Sequence, residues 1–413
     1  MASSLLGADV KVQTYAAATD VQGRYMRNLV CVSNSTCYSF SIDNESGAGH
    51  TGFVYRKTTD GGATWATNVQ IQSNAAQLAG DVWYDQWTPG DTGTLIHMWF
   101  FDSTADRVSW QSLDTASDTL GTARQVFGGA SAVGGRGSFV SGTKTRSGYL
   151  YCAYDIDAGA EKGFQRSTDG GTTWSTVLSA TFVEATLDEC MLFPATGTGD
   201  NNDCWAIYHD ASADALTMKM WDSSAVAEVE SSTVQSCIEN TADEAQRPFS
   251  GAIRLSDGHL IVVSNSDGVT LANNDMQVWD VSAVNAGSQT GITAKTDLTT
   301  NKANYYSSVY INPSDKIYVA YNGKRDGTET VNSSSKIYYA TSTDGGTTWS
   351  SGDTAYSENA AGVNNQTWAS NSGPRFLVQW RQDRASPDEG LWTNKNNSVI
   401  ASTPNGFFQL LRP

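Results

Sequence analysis

Arginine, carboxylate and phenol side chains recur where short strands are expected to begin, and together they could bind a charged substrate. The positions are Arg24 or Arg27, Asp81, Arg136, Asp188, Glu189, Arg247, Tyr305, Tyr306, Asn365 and Gln366. If these strands surround one axis, the side chains meet at one face and form a pocket for carboxylate or hydroxyl groups. The alternative is that the opposite charges pair with one another and seal the centre.

Three copies of one octapeptide indicate the elements that must position these residues. The copies span residues 58–65, 167–174 and 342–349, and each follows an aromatic-rich apolar run. In each copy an aspartate followed by glycine favours a tight turn, because glycine permits positive φ and the carboxylate can accept backbone N–H bonds. We therefore predict three hairpins, each with a tryptophan packed back onto its sheet.

The spacing of the octapeptides indicates a longer repeat. An aromatic residue marks the end of the equivalent strand in seven successive units, which are 53 to 60 residues apart, at Tyr55, Trp110, Phe164, Trp221, Trp279, Tyr339 and Trp392. A period in this range, with several short strands per unit, is typical of a β-propeller. We predict an all-β, seven-bladed β-propeller; the alternative is a six-bladed, sialidase-like propeller with an extra segment.

The octapeptide, written Ser/Thr-x-Asp-x-Gly-x-Thr-Trp, resembles the Asp-box of the sialidase-type (BNR-repeat) propellers. The resemblance rests on the three copies at propeller spacing. It implies a propeller in which the box lies at an outer turn, away from the pocket. If the chain is active, it also implies a sialidase-like glycoside hydrolase.

The same resemblance suggests catalytic roles for individual residues. Tyr306 lies in a segment similar to the one that carries the family's nucleophilic tyrosine, and Glu189 resembles the glutamate that activates it. In that chemistry the carboxylate takes the phenol proton while arginines clamp the substrate carboxylate. Asp81 and Asp43 are the candidates for the general acid.

The substrate-binding candidates are arginines and tryptophans. Arg24 or Arg27 resembles the arginine that opens the family's first blade, and the others could contribute from other blades or stack on sugar rings. They are Arg136, Arg247, Trp83, Trp87 and Trp368. The tryptophans are expected at loops of the blade tops, with burial in the core as the alternative.

The chain departs from the family pattern at positions that matter for catalysis. The family's Arg-Ile-Pro is replaced by Arg24, Tyr25 and Met26, and His209 with Asp210 stands where the family has an arginine. An arginine is also missing after the second strand of the first unit. These departures favour a propeller that recognises a glycan without cleaving it.

Composition limits the partners of the 413-residue chain. Its 43 acidic and 26 basic side chains give a formal net charge of −17 at pH 7, which argues against a nucleic-acid partner. No apolar run could span a bilayer, and no phosphate loop, dinucleotide motif or zinc-type Cys/His spacing occurs. We predict no cofactor, no metal and no membrane insertion. The predicted partner is a glycan or cell-surface carbohydrate, with other virion proteins as further partners.

The N-terminal residues 1–9 lack the basic and apolar segments of a signal peptide. This favours a protein that is cytoplasmic until it is assembled, or one that belongs to a virion. The cysteines leave two alternatives open, because either the pair Cys31 and Cys37 or the pair Cys190 and Cys204 could bridge neighbouring strands or remain as buried thiols.

One propeller domain is expected over residues 1–413. Residues 1–22 would supply the closing strand of the last blade, residues 23–405 the blade repeats and residues 406–413 a C-terminal edge segment. Three functions fit this chain. They are non-catalytic glycan recognition for surface or host attachment, a divergent sialidase-like exo-glycosidase, and a structural propeller of a phage tail or head. The first and third are compatible.

Overall fold

The structure is a computed structural model. It describes residues 8–14, 24–25, 27–43, 52–73, 79–102, 107–128, 139–155, 162–178, 187–195, 201–210, 215–236, 249–265, 276–282, 292–298, 305–326, 328, 336–351, 353–357, 367–382 and 390–394. Thirty strands lie within these residues and are numbered in chain order. Two of them precede the blades, β1 (Asp9–Thr14) and β2 (Arg24–Tyr25).

The strands form seven sheets, which are the seven blades of a β-propeller. Blade one contains β3 (Leu29–Cys31), β4 (Cys37–Asp43), β5 (Gly52–Thr58) and β6 (Val69–Ser73). Blade two contains β7 (Ala79–Tyr84), β8 (Leu95–Asp102), β9 (Arg107–Asp114), β10 (Thr119–Leu120) and β11 (Arg124–Gly128). Blade three contains β12 (Phe139–Lys144), β13 (Leu150–Asp155), β14 (Lys162–Ser167) and β15 (Ser175–Leu178).

Blade four contains β16 (Leu187–Pro194), β17 (Cys204–Asp210), β18 (Ala215–Asp222) and β19 (Ala227–Ser236). Blade five contains β20 (Phe249–Ile253), β21 (Leu260–Asn265), β22 (Met276–Val281) and β23 (Ile292–Ala294). Blade six contains β24 (Tyr305–Ile311), β25 (Ile317–Asn322), β26 (Ile337–Ser342) and β27 (Thr354–Ala355). Blade seven contains β28 (Thr367–Ala369), β29 (Val378–Gln382) and β30 (Gly390–Asn394), with β1 as its fourth strand.

The seven sheets confirm the predicted fold class and exclude the six-bladed alternative. Successive strands of a blade are antiparallel neighbours, except that β11 pairs with β9 in blade two and β1 pairs with β30 in blade seven. The first strands of successive blades also contact one another, as β7 contacts β12 and β12 contacts β16, so they line the axis of the ring. We call the face at which these inner strands begin the upper face, and the opposite face the lower face.

The N-terminal strand β1 is the outer strand of blade seven. It pairs antiparallel with β30, and Lys11 lies opposite Trp392 in the register. Val12 of β1 is buried. This pairing covers an edge that would otherwise expose unpaired backbone groups. The proposed C-terminal edge segment, residues 406–413, lies outside the described residues.

The core lies between the blades because each sheet packs against a neighbour on both faces. Strands β7, β13 and β25 are accordingly buried along their whole length. Aromatic side chains bridge neighbouring blades, with ring centroids 5.4 Å apart for Phe53 and Phe100 and 5.8 Å apart for Phe164 and Trp221. Buried aromatic pairs of this kind stabilise the contact beyond the area that they cover.

The octapeptides form turns between the third and fourth strands of blades one, three and six. In blade three, Asp169 accepts hydrogen bonds from the Ser167 hydroxyl at 2.8 Å, the Thr173 amide at 2.9 Å and the Thr173 hydroxyl at 2.7 Å. Asp60 and Asp344 make the equivalent bonds in their own turns. The three turns lie at the lower face, because each follows the third strand of its blade, which runs in the same direction as the inner strand. In blade one the Gly61 amide also donates to the Ser35 carbonyl in the turn after β3.

Each octapeptide turn packs against the preceding blade. A Cβ at Gly62 would meet Leu377 of blade seven, one at Gly171 would meet Trp110 of blade two, and one at Gly346 would meet Val278 of blade five. Trp349 donates its indole N–H to the Thr296 carbonyl beyond β23 at 2.9 Å. The turns therefore dock three of the seven blades onto their neighbours.

Candidate functional site

The polar residues at the centre of the ring are positioned by the segment before blade one. Strand β2 pairs in parallel with the inner strand of blade two, with Arg24 opposite Ala79 and Tyr25 opposite Gly80. The chain therefore runs along the inner edge of blade two before it enters β3. This path places Arg27 in the channel, where its side chain is only 5% exposed.

Arg27 binds residues of three other blades. Its Nε donates to Asp81 Oδ1 at 2.9 Å, and its Nη2 donates to Asp81 Oδ2. Nη2 also donates to the Gly142 carbonyl at 2.8 Å, and Nη1 donates to the Leu192 carbonyl at 3.1 Å. The guanidinium therefore links blade one to blades two, three and four, and this centre is called the central pair of Arg27 and Asp81.

Asp81 is fully buried and accepts further hydrogen bonds from its surroundings. The Ser141 hydroxyl and the Gly142 amide both donate to Oδ2 at 2.9 Å, and the Val82 amide donates to Oδ1 at 2.9 Å. Both oxygens of Asp81 are therefore directed at donors within the protein, and the Arg27 guanidinium is directed at acceptors within the protein. The general-acid role of Asp81 and the substrate-binding role of Arg27 stay predictions, and these contacts occupy the groups that both roles would use.

Aromatic rings pack beside the central pair. The guanidinium carbon of Arg27 lies 4.7 Å from the Trp83 ring centroid and 5.2 Å from that of Phe193. Trp87 packs edge-on against Trp83 and donates its indole N–H to the Ser372 carbonyl of blade seven at 2.9 Å. Cation–π contacts gain strength where water is excluded. Of the charges predicted to converge on the axis, Arg27 and Asp81 therefore pair with each other, as in the alternative in which opposite charges pair.

The three candidate tryptophans are buried, which corrects their predicted place at exposed loops. Trp83, Trp87 and Trp368 are 0%, 1% and 2% exposed. Trp83 lies in β7 and Trp368 in β28, which are inner strands covered on both faces by neighbouring blades. The indole N–H of Trp83 is occupied by the Thr88 hydroxyl at 2.9 Å. These side chains are core residues and not sugar-stacking platforms.

The remaining predicted site residues are only partly described. Tyr306 lies in β24, Glu189 lies in β16 opposite His209, Arg24 lies in β2 and Asp43 lies in β4. The side chains of these four residues, and all of Arg136 and Arg247, lie outside the described part of the chain. The backbone places Arg24, Glu189 and Tyr306 at or near the beginnings of the inner strands, on the upper face.

A second polar cluster, which the sequence did not predict, lies at the lower end of blades two and three. Asp85 follows β7 and accepts hydrogen bonds from His97 Nε2 at 2.9 Å, Lys144 Nζ at 2.6 Å and the Leu95 amide at 2.9 Å. Burial alone would raise the pKa of Asp85, but the hydrogen bonds from His97 and Lys144 lower it to about 2. No motif marks this cluster, because its members come from three separate strand ends.

The ion pairs of Lys144 complete this cluster. Its Nζ lies 2.7 Å from Asp91 as well as contacting Asp85. Burial alone would lower the pKa of Lys144, but hydrogen bonds to Asp85 and Asp91 raise it above its ordinary value. The cluster is therefore a set of paired charges that joins the loop after β7 to blade three.

Within the described residues, no group of three or more His, Cys, Asp or Glu side chains is arranged to hold a metal ion. None of the described helical segments has the length and apolar character needed to cross a membrane.

The arrangement of seven sheets around one axis defines the class as a seven-bladed β-propeller. No protein-family model and no curated protein matches the sequence. Solved structures do match. A chain of hydrazine synthase from Kuenenia stuttgartiensis is 11% identical, with 92% of this chain and 100% of that chain covered and a TM-score of 0.51.

Sialidase structures are also among the matches. NanB, which is a sialidase from Streptococcus pneumoniae, matches in a structure with optactamide at 8% identity, with 77% of this chain and 67% of that chain covered and a TM-score of 0.50. The intramolecular trans-sialidase from Ruminococcus gnavus is 9% identical over 76% of this chain and 93% of that chain, with a TM-score of 0.45. At these identities the likeness concerns the fold alone, and at that level the NanB match confirms the predicted resemblance to sialidase-type propellers.

Proposed function

We propose that the protein is a non-catalytic, carbohydrate-recognition propeller that binds a glycan at its upper face. The observation that supports this most directly is the central pair. Arg27 is one of the two arginine candidates and Asp81 one of the two acid candidates for a sialidase-like site, and both are bound to other blades. Because these two groups are already bound within the protein, we favour an upper face that binds a glycan over one that cleaves it.

Glycoside hydrolysis would require two correctly placed catalytic groups at the upper face. A general acid must hold a proton within hydrogen-bond reach of the leaving oxygen, and a nucleophile must attack the anomeric carbon. Asp81 accepts hydrogen bonds at 2.9 Å from Ser141, Gly142 and Val82, so both of its oxygens already have donors within the protein. The tyrosine chemistry expected of Tyr306 and Glu189 would then lack one of its two candidate acids, and Asp43 is the other.

Binding without cleavage requires neither a general acid nor a nucleophile at the upper face. In this proposal Arg24, Arg136 and Arg247 supply positive charge to the upper face and bind the carboxylate or hydroxyl groups of a cell-surface glycan. Guanidinium groups suit this task because they donate two parallel hydrogen bonds to a carboxylate. The phenol of Tyr306 is then not essential, and the three octapeptides act as Asp-boxes with a structural role at the lower face.

Surface attachment is the use that we assign to such a face. A propeller built into a virion or another particle could bind host carbohydrate through its upper face while other virion proteins contact the rest of the ring. The purely structural role in a phage tail or head differs from this in one respect only, since it requires no glycan.

The proposal is tested with a fluorogenic sialoside and a glycan array. We expect no turnover above that of Tyr306→Phe, and binding of an array glycan that survives Tyr306→Phe but falls at least tenfold in Arg136→Ala or Arg247→Ala. Arg124→Ala is the matched control, because Arg124 is an exposed arginine of β11 in the outer part of blade two. Its binding should equal that of the wild type.

Two results would overturn the proposal. Turnover by the wild type that is lost in Tyr306→Phe would favour the sialidase-like exo-glycosidase. Absence of binding to every glycan, combined with ordered copies of the protein in a particle, would favour the structural propeller.

A further inference from the structure

The contact between blades seven and one has its own small core, and a disulfide lies in it. Cys31 at the end of β3 is bonded to Cys37 at the start of β4. Both cysteines pack with Leu29 and with Leu377 of blade seven, and Trp65 of the first octapeptide covers the cluster. We call this contact the closing seam, because blade seven also contains the strand that completes the ring.

The disulfide spans a turn, residues 32–36, on which the closing seam depends. Arg375 of blade seven is 4% exposed and donates through Nη1 to the Asn34 carbonyl in that turn. Its Nη2 donates to the Gly61 carbonyl at 2.6 Å, and the Gly61 amide donates to the Ser35 carbonyl at 2.8 Å. The turn therefore binds both the first octapeptide and a buried arginine of the last blade.

A buried guanidinium makes this contact sensitive to small movements. Burial lowers the pKa of Arg375, as expected for a cation removed from water. The carbonyls of Asn34 and Gly61 stabilise its charge only while both turns keep their positions. Gly373 of blade seven also lies so close that a Cβ there would be 3.0 Å from the Cys31 carbonyl oxygen. Little space is left for the turn to shift without opening the seam.

We propose that the Cys31–Cys37 disulfide is a redox-controlled clasp of the propeller ring. A dithiol reductant would transfer two electrons and two protons to it: the S–S bond breaks, two thiols form, and the dithiol becomes a disulfide. Two unbonded sulphurs need van der Waals separation, so the ends of β3 and β4 must move apart in the packed seam. Reduction then loosens the seam while the other blades stay folded.

The clasp would make the stability of the closing seam depend on whether the protein is in an oxidising or a reducing environment. Disulfides persist in oxidising environments and are reduced in the cytosol, so the seam would tighten after the protein leaves a reducing compartment. Both cysteines are fully buried, so a reductant reaches them only when the seam opens briefly. Reduction of the folded protein should accordingly be slow, and denaturant should accelerate it.

The experiment is hydrogen–deuterium exchange of the full chain, before and after treatment with dithiothreitol. Peptide mapping of the untreated protein should contain the Cys31–Cys37 linked peptide. Reduction should raise exchange at least tenfold in residues 32–36 and 370–377 and leave blade three unchanged. Reoxidation should restore protection. The melting midpoint should fall by only about 2–3 °C, because the disulfide closes a short loop within a long chain.

Two variants separate the clasp from a general effect of reductant. Cys31→Ser/Cys37→Ser should exchange rapidly at the seam with or without dithiothreitol. Cys152→Ser, which removes a buried free thiol of blade three, should respond as the wild type does. Absence of the linked peptide, unchanged exchange after full reduction, or a rise spread evenly over all blades would overturn the proposal. If the double variant does not fold, the wild-type reduction decides the matter alone.

Discussion

The centre of the ring and its outer turns both use an aspartate as an acceptor of several hydrogen bonds, but they recruit the donors differently. At the centre, Asp81 binds groups that lie 54, 60 and 61 residues away in sequence. In the turn of blade three, Asp169 binds Ser167 and Thr173, which are two and four residues away. One site is made by the topology of the ring, and the other by eight consecutive residues.

This difference determines what each site contributes. Asp81 is withdrawn from water together with a charged partner, so the pair is costly to break and joins blades that could otherwise separate. The octapeptide aspartates are exposed and stabilise a local turn, whereas the second glycine of each turn contacts the preceding blade. The central pair therefore joins blades by a buried ion pair, and the outer turns join blades by close packing of glycines against a neighbouring blade.

Breaking the central pair should have the largest effect. Asp81→Asn leaves the Arg27 guanidinium buried without its counter-charge, so we expect the free energy of unfolding to fall by about 4 kcal/mol. Chemical denaturation measures this change. Adding Arg27→Met to the variant should recover part of the loss, because the uncompensated charge is then removed.

The control for this prediction is an ion pair at the surface. Asp118 pairs with Lys57, and their side chains are 46% and 25% exposed. Asp118→Asn should cost about 1 kcal/mol or less, because exposed pairs are weakened by water. Equal losses in Asp81→Asn and Asp118→Asn would show that burial of the central pair adds nothing to stability.

The shape of the outer turns is tested by two adjacent glycines of blade three. Gly170 has φ +70°, and a Cβ at this position would have no neighbouring atom within 4 Å. At Gly171, with φ +92°, a Cβ would lie 2.4 Å from the Trp110 ring. Both alanine variants carry the strain of positive φ, about 1 kcal/mol. Gly171→Ala adds a steric clash with a rigid ring, for a total of about 3 kcal/mol.

Denaturation midpoints of Gly170→Ala and Gly171→Ala compare these costs directly. The difference between them, about 2 kcal/mol, isolates the contact between blades two and three from the strain of the turn itself. If the two variants lose the same stability, the octapeptide is a local turn without a docking role.

The local character of the octapeptides explains why the fold could be predicted from the sequence. The turn chemistry lies within residues 167–174 and its two relatives, and the aromatic markers repeat once per blade, so the number of blades follows. The hairpins and the seven sheets needed no knowledge of distant contacts. The convergence of Arg27 and Asp81 on one axis also followed from their places near the beginnings of inner strands.

The contacts that these side chains make could not be predicted in the same way. Whether Arg27 binds a ligand or Asp81 depends on the distance between two side chains, which the position of their strands does not determine. Trp83 was expected at an exposed loop because an apolar run does not distinguish a strand covered on both faces from a strand that ends at the surface. Asp85 and Lys144, 59 residues apart, belong to no motif at all.

Asp85 combines the two patterns, because it accepts hydrogen bonds from Leu95 and His97 nearby in sequence and from the distant Lys144. Its contribution to the free energy of unfolding should depend on pH. The folded-state pKa of about 2 lies below the ordinary value of 3.8. The contribution is therefore fully present above about pH 4 and is lost as the pH falls towards 2. A difference of this size corresponds to about 2 kcal/mol of unfolding free energy.

The measurement is the difference in unfolding free energy between the wild type and Asp85→Asn from pH 6 to pH 2. Other carboxylates titrate in the same range, but they do so in both proteins and cancel in the difference. The wild type should be more stable at pH 6, and its advantage should shrink by about 2 kcal/mol as the pH falls from 4 to 2. A difference that stays constant over this range would mean that His97 and Lys144 do not hold Asp85 in its ionised form.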